Sequence, residues 1–193
     1  MAAYMALHKY GSPHQEPLRD PQLYDTALTR EGLRRAAELG PRVAALKPRP
    51  QLVLVSPLSR CLQTAVAACW QLRSEGQVPL RAEPLLRERV TLSSEVGRPP
   101  GELRSDFPEV EFPSDMPNVW WYTGGQHGAD PWVVTREPQD VYEARLATLR
   151  RLLAAQPERV VLLVSHWGVL KALTGRELQP AELASVQVEL PAA

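Results

Sequence analysis

Two runs of consecutive apolar residues stand out in a chain whose apolar positions otherwise recur every three or four residues. They lie within residues 51–55 and 160–164, are rich in branched side chains and are bounded by turn-forming residues. Runs of this kind are typical of strands that are covered on both faces of a parallel sheet. We therefore predict a buried parallel strand at each position.

Helical patterns flank both predicted strands. A periodic stretch that Thr29 can cap precedes the first strand. After that strand, Ser56 and Pro57 predict the start of a second helix, with serine as the N-cap and proline at the first helical position. The second strand is preceded by a helical pattern over residues 141–153 and followed by a short helix that Gly175 ends.

The order helix, strand, helix therefore occurs twice, separated by irregular chain. This alternation predicts an α/β fold, a three-layer α/β/α sandwich with a mostly parallel central sheet. Residues 78–80 and 186–189 are weaker strand candidates. Prolines and tryptophans interrupt the pattern in residues 98–135, which we interpret as an irregular Pro/Trp-rich flap. No repeat or boundary divides the chain, so we interpret residues 1–193 as a single domain.

Composition and charge narrow the class of protein. The 193 residues include 22 basic and 22 acidic side chains, so the formal net charge is zero and no basic run offers a surface to nucleic acid. No apolar stretch approaches the roughly 18 residues of a membrane span. Cys61 and Cys69 lie eight residues apart in one predicted helix, too far apart for easy bridging. We therefore predict a cytoplasmic protein with reduced thiols that binds neither nucleic acid nor membranes. The sequence leaves a location inside an organelle as an alternative.

Polar residues follow both predicted strands directly, at the sheet edge where α/β proteins bind ligands. Arg60 lies near the start of a predicted helix, where its guanidinium adds to the free N–H groups and the positive end of the helix dipole. His166 follows the end of the second strand directly, so rigid structure positions its ring, and Gly168 indicates little room for a bulky neighbour. The residues alone leave two interpretations open, an anion site or a solvated arginine with a hydrogen-bonded structural histidine.

Four segments resemble motifs of one known family and occur in the expected order. Residues 54–65, Leu-Val-Ser-Pro-Leu-Ser-Arg-Cys-Leu-Gln-Thr-Ala, resemble the SPLxRxxQTA element of the histidine phosphatase superfamily, the phosphoglycerate mutase-like proteins. Residues 164–170 are similar to the family's second histidine motif, and residues 25–32 are similar to its D-x-x-LTxxG element. The region that carries the family's acid is similar to residues 86–88, followed by 95–97 and 107–108.

The resemblance implies a phosphatase with phosphohistidine chemistry. In this family a first histidine attacks the phosphoryl group, arginines and a second histidine hold its oxygens, and a carboxylic acid protonates the leaving oxygen. Carried over by position, Arg60 binds phosphate, His166 stabilises the transferring phosphoryl group, and Glu88 is the general acid and then the base that activates water. The implied substrate is a phosphorylated small molecule or other phosphomonoester, with no cofactor. His127 and Asp130 lack further ligands at metal spacing, so we predict no metal site.

One element of the family pattern is missing. The first histidine belongs to an Arg-His-Gly motif upstream of Asp25, and this sequence offers only His8 and His14 there. Three explanations stay open: a sequence without a complete first strand, a divergent active enzyme that uses His8, or a relative that binds phosphorylated ligands without turnover. The first and third are favoured. The sequence leaves the substrate and the oligomeric state open.

Overall fold

The structure, a computed structural model, describes residues 23–76, 78–125 and 134–188. Within them three parallel strands form one sheet: β1 (Leu52–Val55), β2 (Leu80–Ala82) and β3 (Val161–Val164). The strand order is β2-β1-β3, so β1 is central. Both strands predicted from apolar runs are present, but the predicted burial is confirmed only for β1, because all four residues of β3 are only partly buried.

The sheet is accompanied by α-helices that alternate with the strands along the chain. In the described ranges they are α1 (Arg30–Glu38), α2 (Gly40–Ala44), α3 (Ser59–Gly76), α4 (Pro100–Asp106), α5 (Gln139–Ala154) and α6 (Trp167–Thr174). None of these helices is long and apolar enough to cross a membrane.

Alternate side chains of β1 enter two apolar clusters on opposite faces of the sheet. Val53 and Val55 pack with residues of α2 and α3, whereas Leu52 and Leu54 pack with residues of α5 and α6. All four side chains are buried. Since successive side chains of a strand point to opposite faces, a strand covered by helices on both sides needs an unbroken apolar run. The predicted three-layer α/β/α arrangement is confirmed.

The helix after β1 begins later than predicted. Ser56 and Pro57 lie in a loop, and α3 begins at Ser59. Its first turn is capped by Asp25, whose carboxylate accepts hydrogen bonds from the Ser59 backbone N–H at 2.7 Å and from the Ser59 hydroxyl at 2.5 Å. Arg98 donates to the same carboxylate at 3.0 Å. The prediction of Ser56 as N-cap is therefore wrong, because the cap comes from a residue 34 positions away.

The helix predicted before β1 is divided in two. Thr29 caps α1 as predicted, since its hydroxyl accepts from the Gly32 N–H at 3.1 Å. The chain turns at Leu39 before α2, because Pro41 has no N–H to continue the helical ladder.

The helix after β3 ends as predicted. Gly175 ends α6 with a φ of 70°, the left-handed conformation expected of a glycine that follows the last turn of a helix.

One of the two weaker strand candidates forms a strand, and the other does not within the described residues. The candidate at residues 78–80 forms as β2 two residues later, because Pro79 has no N–H for a ladder and pairing starts with Leu80 opposite Val53. The candidate at residues 186–189 is wrong for 186–188, which are not a strand, and residue 189 lies outside the described ranges.

The described part of segment 98–135 packs against the rest of the protein. It contains α4, and Trp120 and Trp121 are buried in the cluster beside α3. Their rings meet edge to face with centroids 5.6 Å apart. The Trp120 indole N–H donates to the Arg98 carbonyl at 2.9 Å, and a Cβ at Gly97 would lie only 2.1 Å from the Trp120 ring. Residues 126–133 lie outside the described ranges.

Candidate active site

Arg60 and His166 lie in contact, although 106 residues separate them in the chain. Arg60 Nη2 and His166 Nδ1 are 3.1 Å apart, and both residues are buried, with 4% and 3% exposure. Their meeting follows from the sheet, since β1 and β3 are parallel neighbours and their carboxyl ends share an edge. A cavity of about 430 Å³ opens beside the pair, between α3, β3 and the segment 178–183.

The hydrogen-bond partners of His166 assign its protonation state. A guanidinium only donates, so Arg60 donates to Nδ1, and Nε2 carries the hydrogen and donates to Ser56 Oγ at 2.8 Å. Burial, and then the positive charges of Arg60 and Arg145, hold the pKa of His166 well below its ordinary value. The imidazole is therefore neutral until an anion compensates these charges.

The Arg60 guanidinium is only partly hydrogen-bonded to the described residues. Nη1 donates to the Ser94 carbonyl at 2.7 Å, and Nη2 faces His166. Within the described residues, its buried Nε has no hydrogen-bond partner. Leaving a buried donor of a charged group unpaired costs free energy, which a bound anion would recover.

Glu88 faces the first turn of α6, the helix that follows His166 in the chain. Its carboxylate accepts a hydrogen bond from the Arg89 backbone N–H at 2.9 Å and a longer one from the Gly168 N–H at 3.4 Å. The lack of a side chain at Gly168 makes room for this approach, because a Cβ there would lie 2.8 Å from Glu88 Oε1. The structure thus brings all three predicted site residues to one end of the sheet.

A second carboxyl group near the site, Glu95, was given no role by the sequence analysis. It lies in the 3₁₀ turn Ser93–Glu95, whose Ser94 carbonyl holds Arg60. Its Oε2 accepts from the backbone N–H groups of Thr91 and Leu92, each at 2.6 Å. Burial, opposed by the Thr91 hydrogen bond and reinforced by the charge of Glu88, raises the pKa of Glu95 to about 7. The segment 95–97 belonged to a recognised motif, but no local pattern marks this glutamate as buried.

Glu95 should make the stability of the protein depend on pH. Because its pKa rises from 4.5 to about 7 on folding, its contribution is complete below pH 4.5 and is lost as the pH rises through 7. We expect this loss to amount to about 3 kcal/mol of unfolding free energy. His166 acts in the opposite direction, since its lowered pKa favours the folded state as the pH rises towards 6.5.

Urea unfolding of wild type and Glu95→Gln at pH 5 and pH 8 separates the two groups. The difference between the two proteins isolates the contribution of Glu95, and exposed Glu109 provides the matched control Glu109→Gln. Equal pH dependence in wild type and Glu95→Gln would show that Glu95 ionises as in the unfolded chain.

Several sequence-based candidates lie outside the described ranges. They are His8, His14, His127 and Asp130. Among residues 23–76, 78–125 and 134–188, no three histidine, cysteine, aspartate or glutamate side chains come together as a metal site. Both cysteines are free and buried, and Cys61 Sγ lies 3.5 Å from His166 Nε2.

The described fold and site define a class of protein, a parallel α/β protein with a buried arginine–histidine pair at the carboxyl ends of neighbouring strands. Residues 20–191 match the family model of the histidine phosphatase superfamily (branch 1). The chain belongs to this superfamily, which confirms the resemblance read from its motifs.

The relatives found by comparison are distant. The Schizosaccharomyces pombe (strain 972 / ATCC 24843) protein named "Probable phosphatase SPAC513.02" is 27% identical over 150 residues, which are 74% of this chain and 63% of that protein. This chain therefore spans less than two thirds of the length of that curated relative.

Two solved structures are similar at lower identity. The mycobacterial glucosyl-3-phosphoglycerate phosphatase is 19% identical with a TM-score of 0.45, covering 89% of this chain and 76% of its own. The ecdysone phosphate phosphatase from Bombix mori, solved in complex with tungstate, is 21% identical with a TM-score of 0.46, covering 87% and 66%. Both TM-scores lie below 0.5, so the assignment rests on the family match.

Proposed function

We propose that this protein is a phosphatase that hydrolyses a phosphomonoester through a phosphohistidine intermediate. The contact between Arg60 and His166 carries the proposal. It places a buried cation with an unpaired N–H donor at the carboxyl ends of two parallel strands, where a phosphoryl group would find compensating charge. Membership of the histidine phosphatase superfamily supports the same reaction class.

Each of the three residues has a role in the proposed reaction. Arg60 holds phosphoryl oxygens through its free Nε–H and its terminal nitrogens. His166 enters the site neutral, and a phosphate dianion beside it would raise its pKa and let it donate to a phosphoryl oxygen from Nδ1. Glu88 supplies the proton to the leaving oxygen, because it faces Gly168, two residues after His166. We call the space beside Arg60 and His166 the phosphate pocket.

The proposed reaction has two steps that consume one water. First, an imidazole nitrogen attacks phosphorus, the bond from phosphorus to the ester oxygen breaks, and that oxygen takes the proton of Glu88. Second, the Glu88 carboxylate takes a proton from water as the water oxygen attacks the phosphohistidine. Inorganic phosphate and the free histidine result, and Glu88 is protonated again. The attacking histidine would be His8 or His14, both outside the described ranges.

A second candidate function is binding of phosphorylated ligands without turnover. The absence of an Arg-His-Gly motif from the sequence favours it. The position of Glu88 favours catalysis instead, because a carboxylate beside a phosphate pocket repels the ligand unless it transfers a proton.

Trapping of phosphohistidine decides between the two. The folded protein is mixed with a radiolabelled phosphomonoester, quenched in alkali and tested for a label that acid removes. We expect label on wild type that disappears in either His8→Ala or His14→Ala, and remains in His127→Ala, the matched control. A folded protein that gains no label, yet is stabilised by orthovanadate, would contradict the phosphatase proposal and support the binding function.

A further inference from the structure

A buried ion cluster lies next to Glu88 in the chain but outside the phosphate pocket. Glu137 is fully buried and is held by two buried arginines. Arg87 donates to its two carboxylate oxygens at 2.7 and 2.8 Å, and Arg145 donates to the same oxygens at 3.0 and 3.1 Å. No role in the proposed reaction falls to these three residues.

The cluster fixes the peptide on both sides of Glu88. Before Glu88, Arg145 Nη1 donates to the Arg87 carbonyl at 2.9 Å. After it, the Glu137 N–H donates to the Val90 carbonyl at 2.8 Å. Arg89 Nε donates to the Glu137 carbonyl, also at 2.8 Å. The backbone around Glu88 is thus tied on one side to Arg145 of α5 and on the other side to Glu137, which lies two residues before that helix.

A purely stabilising role explains this cluster poorly. Taking three charges out of water is costly, and well-packed apolar side chains in place of a buried ion cluster are often as stable or more so. Burial raises the pKa of Glu137, but the hydrogen bonds from Arg87 and Arg145 outweigh this effect and leave the pKa below its ordinary value. Glu137 therefore stays charged and keeps both arginines in fixed positions.

We propose that Glu137 is a positioning residue for Glu88, acting through Arg87 and Arg145 to keep the Glu88 carboxyl group against the first turn of α6. This inference rests on the proposed function, in which Glu88 is the proton donor. Glu137 binds Arg87 and Arg145 rather than Arg60 or His166, so its removal should disturb proton transfer to the leaving oxygen more than phosphate binding.

The leaving group of the substrate provides a test that a merely structural role would not satisfy. Glycerol 2-phosphate has a strongly basic leaving oxygen that needs a proton, whereas the 4-nitrophenolate of 4-nitrophenyl phosphate leaves readily without one. For Glu137→Gln we expect the rate of leaving-group release in a single turnover to fall by about 10²-fold with glycerol 2-phosphate and by less than about 3-fold with 4-nitrophenyl phosphate. Release of the leaving group is measured because the later hydrolysis of the phosphohistidine, which Glu88 also assists, is common to both substrates. An equal loss on both substrates would overturn the proposal.

Two further variants keep this test interpretable. Glu137→Asp retains the charge balance of the cluster but shortens the carboxylate side chain, so it provides a variant that folds if Glu137→Gln leaves the two arginines unbalanced and unfolds the protein. The matched control is Glu143→Gln, an exposed glutamate on the same helix, for which we expect wild-type kinetics on both substrates.

Hydrogen exchange tests the positioning without any turnover. The backbone N–H groups of Arg89 and Gly168 donate to the Glu88 carboxylate, so their exchange reports where that side chain lies. We expect about 10-fold faster exchange at both amides in Glu137→Asp, with unchanged exchange in α3. Unchanged exchange at Arg89 and Gly168 would overturn the positioning role. Faster exchange at both amides in Glu137→Asp than in wild type, together with no hydrolysis by wild type, would reject only the proposed phosphatase activity and not the positioning role.

Discussion

Arg60→Ala is expected to lower kcat/KM for a phosphomonoester by about 10³-fold and to abolish stabilisation of the protein by orthovanadate. The substitution removes the cation whose Nε–H is unpaired and whose Nη2 faces His166. Because charge on the phosphoryl oxygens must be compensated in a site with little water, no neighbouring solvent can replace this guanidinium. Steady-state kinetics and melting temperatures with and without orthovanadate measure the two effects.

Two variants of basic residues on α3 serve as controls for Arg60→Ala. Arg60→Lys keeps a positive charge but loses the fork of donors, so we expect it to retain part of the vanadate stabilisation and little of the turnover. Arg73→Ala lies in the last turn of the same helix and should behave as wild type. If vanadate raised the melting temperature of Arg60→Ala as much as that of wild type, the phosphate would bind elsewhere.

Glu88→Gln is expected to lower kcat by about 10³-fold on a substrate with a basic leaving oxygen, with little change in KM. The amide keeps the shape of the side chain, and its single oxygen can still accept a hydrogen bond from Arg89 or Gly168, but it has no acidic proton to give. We expect kcat to fall while KM stays nearly constant, because Arg60 and His166, and not Glu88, bind the phosphate of the substrate before the reaction.

Glu95→Gln distinguishes the two carboxyl groups near the site. The pKa of Glu95 is raised to about 7, which would suit an acid at neutral pH, yet its Oε2 is occupied by two backbone N–H groups. We therefore expect Glu95→Gln to keep most of the wild-type kcat, as should Glu75→Gln, a control on exposed α3 surface. Loss of turnover in Glu95→Gln with full turnover in Glu88→Gln would reverse the assignment.

Features of the fold that depend on local pattern could be predicted from the sequence. The strand β1 is an unbroken apolar run because helices cover it on both faces, and β3 is an apolar run that is partly buried against the same two clusters. The meeting of Arg60 and His166 could also be anticipated, since each follows the carboxyl end of one of these strands. In both cases the information lies within a few residues of the feature.

Features that depend on distant partners could not be predicted in this way. The start of α3 is set by Asp25, 34 residues away, and a local N-cap signal at Ser56 competed with it. Glu137 lies in a stretch without helical or strand periodicity, and its burial is explained only by two arginines that the fold brings together. A single sequence does not mark such partners, because no hydrophobic pattern accompanies them.

The long sequence separations within the site also affect how the protein folds. Arg60 reaches His166 across 106 residues, Gly168 reaches Glu88 across 80, and Ser59 reaches Asp25 across 34. Parallel strands with such connections pair slowly, because chain entropy is lost before the contacts form. The phosphate pocket therefore comes into being only when β3 docks on β1. Partly folded chains, newly synthesised or unfolding, carry every residue of the site and yet have no place to bind a phosphate.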